Sequence, residues 1–237
     1  MSPLPAAVAD ALAARGLRLS LLVRAGSKSY GLDDAASDDD YLGVFLAPLR
    51  AFVSLRGSGP DSEAGNDPDF TLHELGKFCR LALKGNPAVL ETLWNDDVLS
   101  SDPWGRELRE RRRAFLHRDG LRVYVRYAES QLKKMARGGA LHAKGGSYNG
   151  KFGAHLIRLL HSGITLAASG DVQVRVPAPL AEELRAIKRG EVSMDEVLRR
   201  ALPLLERLSR LSGTNVLPPK PDVAAIDDLV VRARMSG

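Results

Sequence analysis

Two short segments near the start of the chain carry residue types suited to phosphate and cation chemistry. Gly26 and Ser27 follow the apolar run Leu19 to Val23, and Ser37-Asp38-Asp39-Asp40 comes shortly after Tyr30-Gly31. A tight Gly-Ser turn after a strand aims backbone N–H groups and a hydroxyl at phosphate oxygens. If residues 38–45 form a strand, Asp38 and Asp40 share one face and Asp39 takes the other. Like charges held that close repel unless a cation sits between them. Hard oxygen donors suit Mg²⁺, which takes one or two protein carboxylates and completes its shell with water and substrate phosphates. The pairing of turn and acids therefore suggests nucleotidyl transfer on a metal-bridged triphosphate. An isolated acidic cluster is more often a solvated loop, but Tyr41-Leu42-Gly43-Val44-Phe45-Leu46 is apolar enough to be buried, which sets the acids at a rigid edge.

The elements that must hold these groups follow from pattern and punctuation. Residues 5–15 read as an alanine-rich helix ended by Gly16, and the first strand follows. From Ala51 to Asp67 the composition turns to Gly, Ser, Pro, Asp and Asn, notably Arg56-Gly57-Ser58-Gly59-Pro60-Asp61, which reads as a mobile loop or an elaborated hairpin. Asp69-Phe70-Thr71-Leu72-His73-Glu74-Leu75 alternates Phe70 and Leu72 with Asp69, Thr71 and His73, a half-buried strand pattern. Beyond it Leu75, Phe78, Cys79 and Ala82 recur at helical spacing, and Gly85-Asn86-Pro87 stops that helix and starts the next. Helical patterns continue at about 103–117, 120–137, 150–169, 179–189, 193–212 and 222–234, with ends uncertain by about two to four residues. Leu217-Pro218-Pro219-Lys220-Pro221 reads as a stiff connector before the last helix.

The order predicts an α+β protein: a small mixed-sheet catalytic unit over residues 1–115, then a helical substrate- and nucleotide-binding half over 116–237, with the substrate in the cleft between. No apolar stretch approaches the roughly 20 residues of a bilayer span, and Leu17 to Val23 is too short for a signal-peptide core. Cytoplasmic residence is expected. The lone cysteine, Cys79, forms no internal disulfide and reads as a buried thiol.

Gly26-Ser27…Tyr30-Gly31…Ser37-Asp38-x-Asp40-x-x-Gly43-Val44, with Lys77-Phe78…Leu81-Ala82-Leu83-Lys84-Gly85-Asn86-Pro87…Leu90-Glu91-x-Leu93, resembles the DNA polymerase β-type nucleotidyltransferase superfamily. Within it the chain is similar to the bacterial and phage RNA-repair-pathway polymerase-β-like nucleotidyltransferases. The likeness continues at Lys151-Phe152-x-x-His155-Leu156-x-Arg158-Leu159-Leu160 and at Ile187-Lys188-x-Gly190-Glu191, so it covers most of the chain. Asp39 departs from the pattern, since the position between the two aspartates is usually apolar. The resemblance implies a third carboxylate on a neighbouring strand, Asp69, with Glu74 as its rival at a helix start, where acids complement the helix dipole. It implies Asp38, Asp40 and Asp69 as the catalytic and metal-binding acids, two Mg²⁺ ions for which Mn²⁺ can substitute, and an NTP such as ATP as substrate.

Lys151, His155, Arg158 and Ser162 fall at i, i+4, i+7 and i+11, one polar stripe opposite Phe152, Leu156, Leu159, Leu160 and Ile164. Periodicity alone reads this stripe as an exposed helix face; the resemblance favours contact with substrate, with Lys151, His155 and Arg158 joining Gly26, Ser27 and Tyr30 in holding the nucleotide. Tyr30 either stacks on a base or packs beneath the turn. Asn86 either touches substrate or caps the next helix, and Glu91 either does so or pairs with Lys84 or Arg80. His73, His117, His142 and His161 lack metal-ligand spacing, so zinc is not expected.

The net charge of +5 favours polyanionic partners. Arg106 to Arg113, interleaved with Glu107 and Glu110, reads as a solvated helix face, and a second basic zone runs from Lys133 to Lys151. With the resemblance, this implies an RNA acceptor, tRNA or broken RNA ends. A transferase acting on a protein or small molecule, or a nucleotide- or RNA-binding regulator without turnover, are the alternatives; retention of all three acids argues against the regulator.

Overall fold

The computed structural model describes residues 4–35, 37–55, 57, 59–141, 148–213 and 215–236. Arg56, Ser58, His142 and the Gly145-Gly146-Ser147 stretch, all part of the sequence reading, lie outside them. The chain forms two compact units: residues 1–84, 88–115 and 221–237 make the first, and 85–87 with 116–220 make the second. The first unit thus ends at 115 before the helical half, while the closing segment after 220 packs in the first unit.

In the first unit, α1 (Ala6–Ala13) leads to β1 (Arg18–Ala25), a single helical turn α2 (Gly26–Tyr30), β2 (Asp40–Leu46) and the short α3 (Arg50–Val53). β3 (Ser62–Asn66) and β4 (Asp69–Glu74) follow, then α4 (Leu75–Leu83), α5 (Pro87–Trp94), β5 (Val98–Ser101) and α6 (Pro103–Glu110). The five-stranded sheet has the order β3-β4-β2-β1-β5. β2 and β4 are parallel while the other neighbours are antiparallel, so the sheet is mixed. The glycine-rich segment after residue 51 is accordingly the lead-in to a hairpin, β3 against β4.

Alternation along the strands decides what is buried. Tyr41, Phe45, Phe70 and Leu72 join Val8, Leu12, Leu22 and Leu99 in one core cluster beneath α1. α4 covers β2 and β4, burying Leu75, Phe78, Cys79 and Ala82. Cys79 is the buried thiol expected, its pKa pushed up to about 12 chiefly by burial and secondarily by Glu74. At Gly43 a Cβ would stand 2.3 Å from the Leu21 carbonyl oxygen, so the close approach of β2 to β1 requires glycine there.

The helical reading of 103–117 divides. α6 stops at Glu110, and Arg112–Phe115 form a 3₁₀ turn. The second unit contains α7 (Leu121–Leu141), α8 (Gly150–Ser169), α9 (Ala178–Lys188) and α10 (Met194–Leu211). α8 packs against α7, α9 and α10, which explains why it is buried almost all round. Gly163 lets Leu208 and Tyr124 approach it closely. Asn149 caps α8 by accepting from Lys151 N–H, and Ser193 caps α10 by accepting from Glu196 N–H. No helix among the described residues is long and apolar enough to cross a membrane.

The last helix, α11 (Val223–Met235), is fastened within the first unit by a buried ion pair. Arg234 Nη2 donates to Glu74 Oε2 at 2.8 Å, and the same oxygen accepts from Gly76 N–H at 2.7 Å, capping α4. Glu74 is 1% exposed. Removing one partner strands the other charge in a low-dielectric setting. Glu74→Ala is therefore expected to lower stability by about 3 kcal/mol, read from urea unfolding. Asp69→Ala at the other end of the same strand, where the side chain is exposed, should leave the midpoint nearly unchanged.

Candidate active site

The acids meet the turn because of strand pairing. Ala25, the last residue of β1, faces Asp40, the first residue of β2, and Asp40 in turn faces Asp69 in the parallel β2–β4 ladder. One register row thus brings the residue before the glycine turn and two of the acids side by side. Tyr41 and Phe70, the next row, point into the core beneath α1, so Asp40 and Asp69 share the opposite face.

Gly26 has φ +66°, and a Cβ built on it would lie 1.8 Å from Asp40 Oδ2. The carboxylate occupies the volume a side chain would need, and the backbone conformation is one only glycine adopts without strain. The chain then makes one helical turn, with Ser29 Oγ donating to Gly26 O at 3.0 Å and Leu32 N–H donating to Ser27 O at 2.8 Å. The N-terminal N–H groups of such a turn have no intrahelical acceptor. Ser27 is half-buried beside them.

Charge sorts the three consecutive aspartates. The proton affinity of Asp40 is raised, first by burial, then by the negative charges of Asp69, Asp38 and Asp39. Asp39 is pulled the other way: Lys28 Nζ donates to Asp39 Oδ1 at 2.8 Å, Arg24 lies 3.6 Å from the same oxygen, and its pKa is lowered chiefly by the Lys28 bond. Asp39 is thus spent on cations and Asp40 is left among acids. Lys28 and Arg24 were not singled out by sequence; only their place within the turn and beside it could have marked them.

Asp38 precedes the first residue of β2, so no ladder fixes its position, and the strand expected from residue 38 starts at Asp40. Among the described residues no three His, Cys, Asp or Glu side chains form a ready-made metal cluster. Of the three acids expected from the sequence, the ladder sets Asp40 opposite Asp69, and Asp38 is close enough to act on Asp40 electrostatically. The donor chemistry fits Mg²⁺, which needs only one or two carboxylates and takes phosphate and water for the rest. Glu74 is consumed by Arg234 and Gly76 and is not a ligand candidate.

Tyr30 donates its hydroxyl to Glu91 Oε2 at 2.9 Å, tying the turn to α5. Glu91 is buried and accepts this bond from Tyr30. Asn86 donates through Nδ2 to the Tyr127 hydroxyl.

In the second unit the stripe of α8 is graded rather than solvated. Lys151 is exposed and His155 half-buried, while Arg158 and Ser162 are 5% and 4% exposed. The His155 pKa is pushed down to about 4, by burial first and then by Arg158 and Lys134, so its imidazole is neutral at physiological pH. The exposed-face reading of this stripe fails for its inner half, where Gln173 to Pro177 and Leu180 lie beside Arg158 and Ser162.

The Arg106 to Arg113 run is not a solvated face throughout. Arg109 donates to the carbonyls of Leu93 and Asn95, Arg111 to that of Ala225, and Arg112 stacks 5.3 Å from the centre of the Trp94 ring. These side chains fasten helices to one another.

Comparison with known proteins adds the following. The model of the family described as RNA repair pathway DNA polymerase beta family matches residues 6–232. Among solved structures, a nucleotidyltransferase-like protein from Exiguobacterium sibiricum aligns over 93% of this chain and 75% of its own, at 12% identity and a TM-score of 0.30. At that score the likeness carries no argument. No curated protein matches the chain.

Two titrations follow from the geometry. Folded Asp40 binds its proton more tightly than the unfolded chain does, so it penalises folding above the ordinary carboxylate range. Asp40→Asn should raise the melting temperature at neutral pH, with the gain shrinking as the pH falls toward about 4. His155 behaves oppositely: between about pH 6.5 and 4 the unfolded chain takes up a proton that the folded imidazole refuses, so stability is lost as pH falls through that window. Thermal melts across the window should show the loss, and His155→Gln should flatten it.

Proposed function

The chain belongs to the RNA repair pathway DNA polymerase beta family and is a nucleotidyltransferase of that type; from this premise we propose that it moves a nucleoside monophosphate from an NTP to an acceptor hydroxyl on RNA, tRNA or broken RNA ends, with release of pyrophosphate. The observation that carries the reading is the seating of the Asp40 carboxylate against Gly26 and beside Asp69, which joins a phosphate-suited turn to a cation-suited acid pair.

In this reading the N–H groups at the start of α2 and the Ser27 hydroxyl hold the β- and γ-phosphates. The acceptor oxygen attacks the α-phosphorus in line, the bond to the bridging oxygen breaks, and the electron pair leaves with pyrophosphate. Mg²⁺ held by Asp40 and Asp69, with Asp38 alongside, would lower the pKa of the attacking hydroxyl and neutralise the leaving pyrophosphate. Two ions are expected, and Mn²⁺ should replace them. Asp39 engages Lys28 and Arg24, and the negative neighbours of Asp40 outweigh the smaller pull of Lys28 on it, so the pair retains the negative charge that attracts a divalent cation. The exposed Lys151, with His155 and Arg158 further along α8, forms the second candidate phosphate contact.

RNA as acceptor rests on the family's description and the net positive charge of the chain, since the arginines of α6 and the turn after it are engaged internally. Lys133, Lys134 and Lys151 are exposed cations of the second unit.

The test is incubation with each α-labelled NTP, Mg²⁺ and total RNA. Label should enter RNA, and Asp40→Ala should cut incorporation by about 100-fold or more, the effect of roughly 2.7 kcal/mol on the barrier. Label on protein in place of RNA would overturn the acceptor assignment, and retained NTP binding with no transfer to any acceptor would identify a regulator instead.

A further inference from the structure

At the end of the sheet away from the acids the first unit contains a cavity of about 210 Å³ lined by Gly16, Arg18, Leu46, Ala47, Pro48, Ala233 and Arg234. A single trapped water needs only about 10–15 Å³ of such space. Asp40 opens β2 and Leu46 closes it, and six residues of strand put about 20 Å between the two. The cavity is therefore separate from the candidate active site.

Its walls combine two chemistries. Leu46, Ala47, Pro48 and Ala233 supply an apolar lining, whereas among the described residues the polar side chains are those of Arg18 and Arg234, with no carboxylate in the lining. Arg18 opens β1 beside Leu46, and its contact with Asp102 is long, 3.6 Å, with the arginine side chain half exposed. Asp102 is already engaged, accepting from Gly105 N–H and Ser20 Oγ as the cap of α6. Arg234 spends one terminal nitrogen on Glu74 and lays its guanidinium 4.1 Å from the centre of the Phe52 ring. Its Nε is buried with no hydrogen-bond partner among the described residues.

We propose that this cavity is a binding site for a small organic anion, a carboxylate or phosphate monoester carried on a compact hydrocarbon body. The head group is met by Arg18 and Arg234, and the body by the apolar wall at the end of β2. Guanidinium groups suit both head groups because their forked donors match two oxygens at once. The site does not depend on the transfer reaction proposed above.

The full ¹⁵N-labelled chain is titrated with benzoate, phenyl phosphate, inorganic phosphate and benzyl alcohol while backbone amide shifts are followed. Benzoate and phenyl phosphate should shift Gly16, Leu46, Ala47 and Ala233 saturably at millimolar concentration and leave Gly26 and Asp40 still. Benzyl alcohol and inorganic phosphate, each lacking one half of the chemistry, should bind about tenfold more weakly or worse. Arg18→Gln, at a half-exposed side chain, should weaken the two aromatic anions by about tenfold without changing benzyl alcohol. Arg18→Lys should recover part of that loss. Equal binding of benzyl alcohol, shifts confined to Gly26 and Asp40, absence of saturable shifts at the cavity, or indifference to Arg18→Gln would each overturn the site.

Discussion

The contact between the Asp40 carboxylate and the α-carbon of Gly26 is the constraint around which the first unit is arranged. No other residue at position 26 leaves room for that oxygen, and few others tolerate a φ of +66°. The contact exists because β1 ends at Ala25 opposite the start of β2, and this pairing requires the close approach permitted by Gly43 beside Leu21. Asp69 then arrives through the parallel β2–β4 ladder rather than through a loop. Two pairings of backbone therefore position two carboxylates and a phosphate-suited turn within one register row.

Such a row is electrostatically unfavourable, and neighbouring cations limit how far the repulsion spreads. Three successive aspartates would otherwise act alike. Lys28 and Arg24 bind Asp39, lowering its pKa, while Asp40 is left partly buried among negative groups with its pKa raised. Opposite shifts on adjacent residues separate a structural acid from a site acid. That Lys28 belongs to α2 means the phosphate-suited turn also engages the acid next to Asp40.

The parts of this arrangement visible in the sequence were those with strong periodicity or fixed residue chemistry. Phe70 and Leu72 alternate with Asp69, Thr71 and His73 in the sequence, and burial follows that alternation. α8 was legible to its last residue because glycine and an asparagine cap bound a long apolar pattern. β3 was not, since Ser62-Glu63-Ala64-Gly65-Asn66 has no apolar alternation and pairs only as an edge strand. β5 is four residues long and escapes for the same reason. The arginines from 106 to 113 looked solvated because sequence spacing shows the face a side chain occupies on its own helix. It does not show the carbonyls of Leu93, Asn95 and Ala225 that fold back to meet them. The inner half of the α8 stripe was obscure on similar grounds, since burial of Arg158 and Ser162 depends on residues that arrive later in the chain.

β4 carries an acid at each end, and the contrast between them explains why only one suits the candidate site. Glu74, at the C-terminal end, is desolvated and answered by Arg234 and the Gly76 N–H. Both bonds fall on Oε2 while Oε1 is buried without a hydrogen-bond partner, but the guanidinium already balances the charge, so the carboxylate has little to gain from a second cation. Asp69, at the N-terminal end, is exposed, faces Asp40 in the ladder and forms no ion pair with a lysine or arginine among the described residues. Its charge adds to that of Asp40 instead of cancelling, and the pair gains most from an external cation. Sequence alone weighed these two acids by their distance from a helix start. The physical distinction lies in the partners: a guanidinium from the last helix of the chain satisfies one, and the fold supplies the other with a second carboxylate.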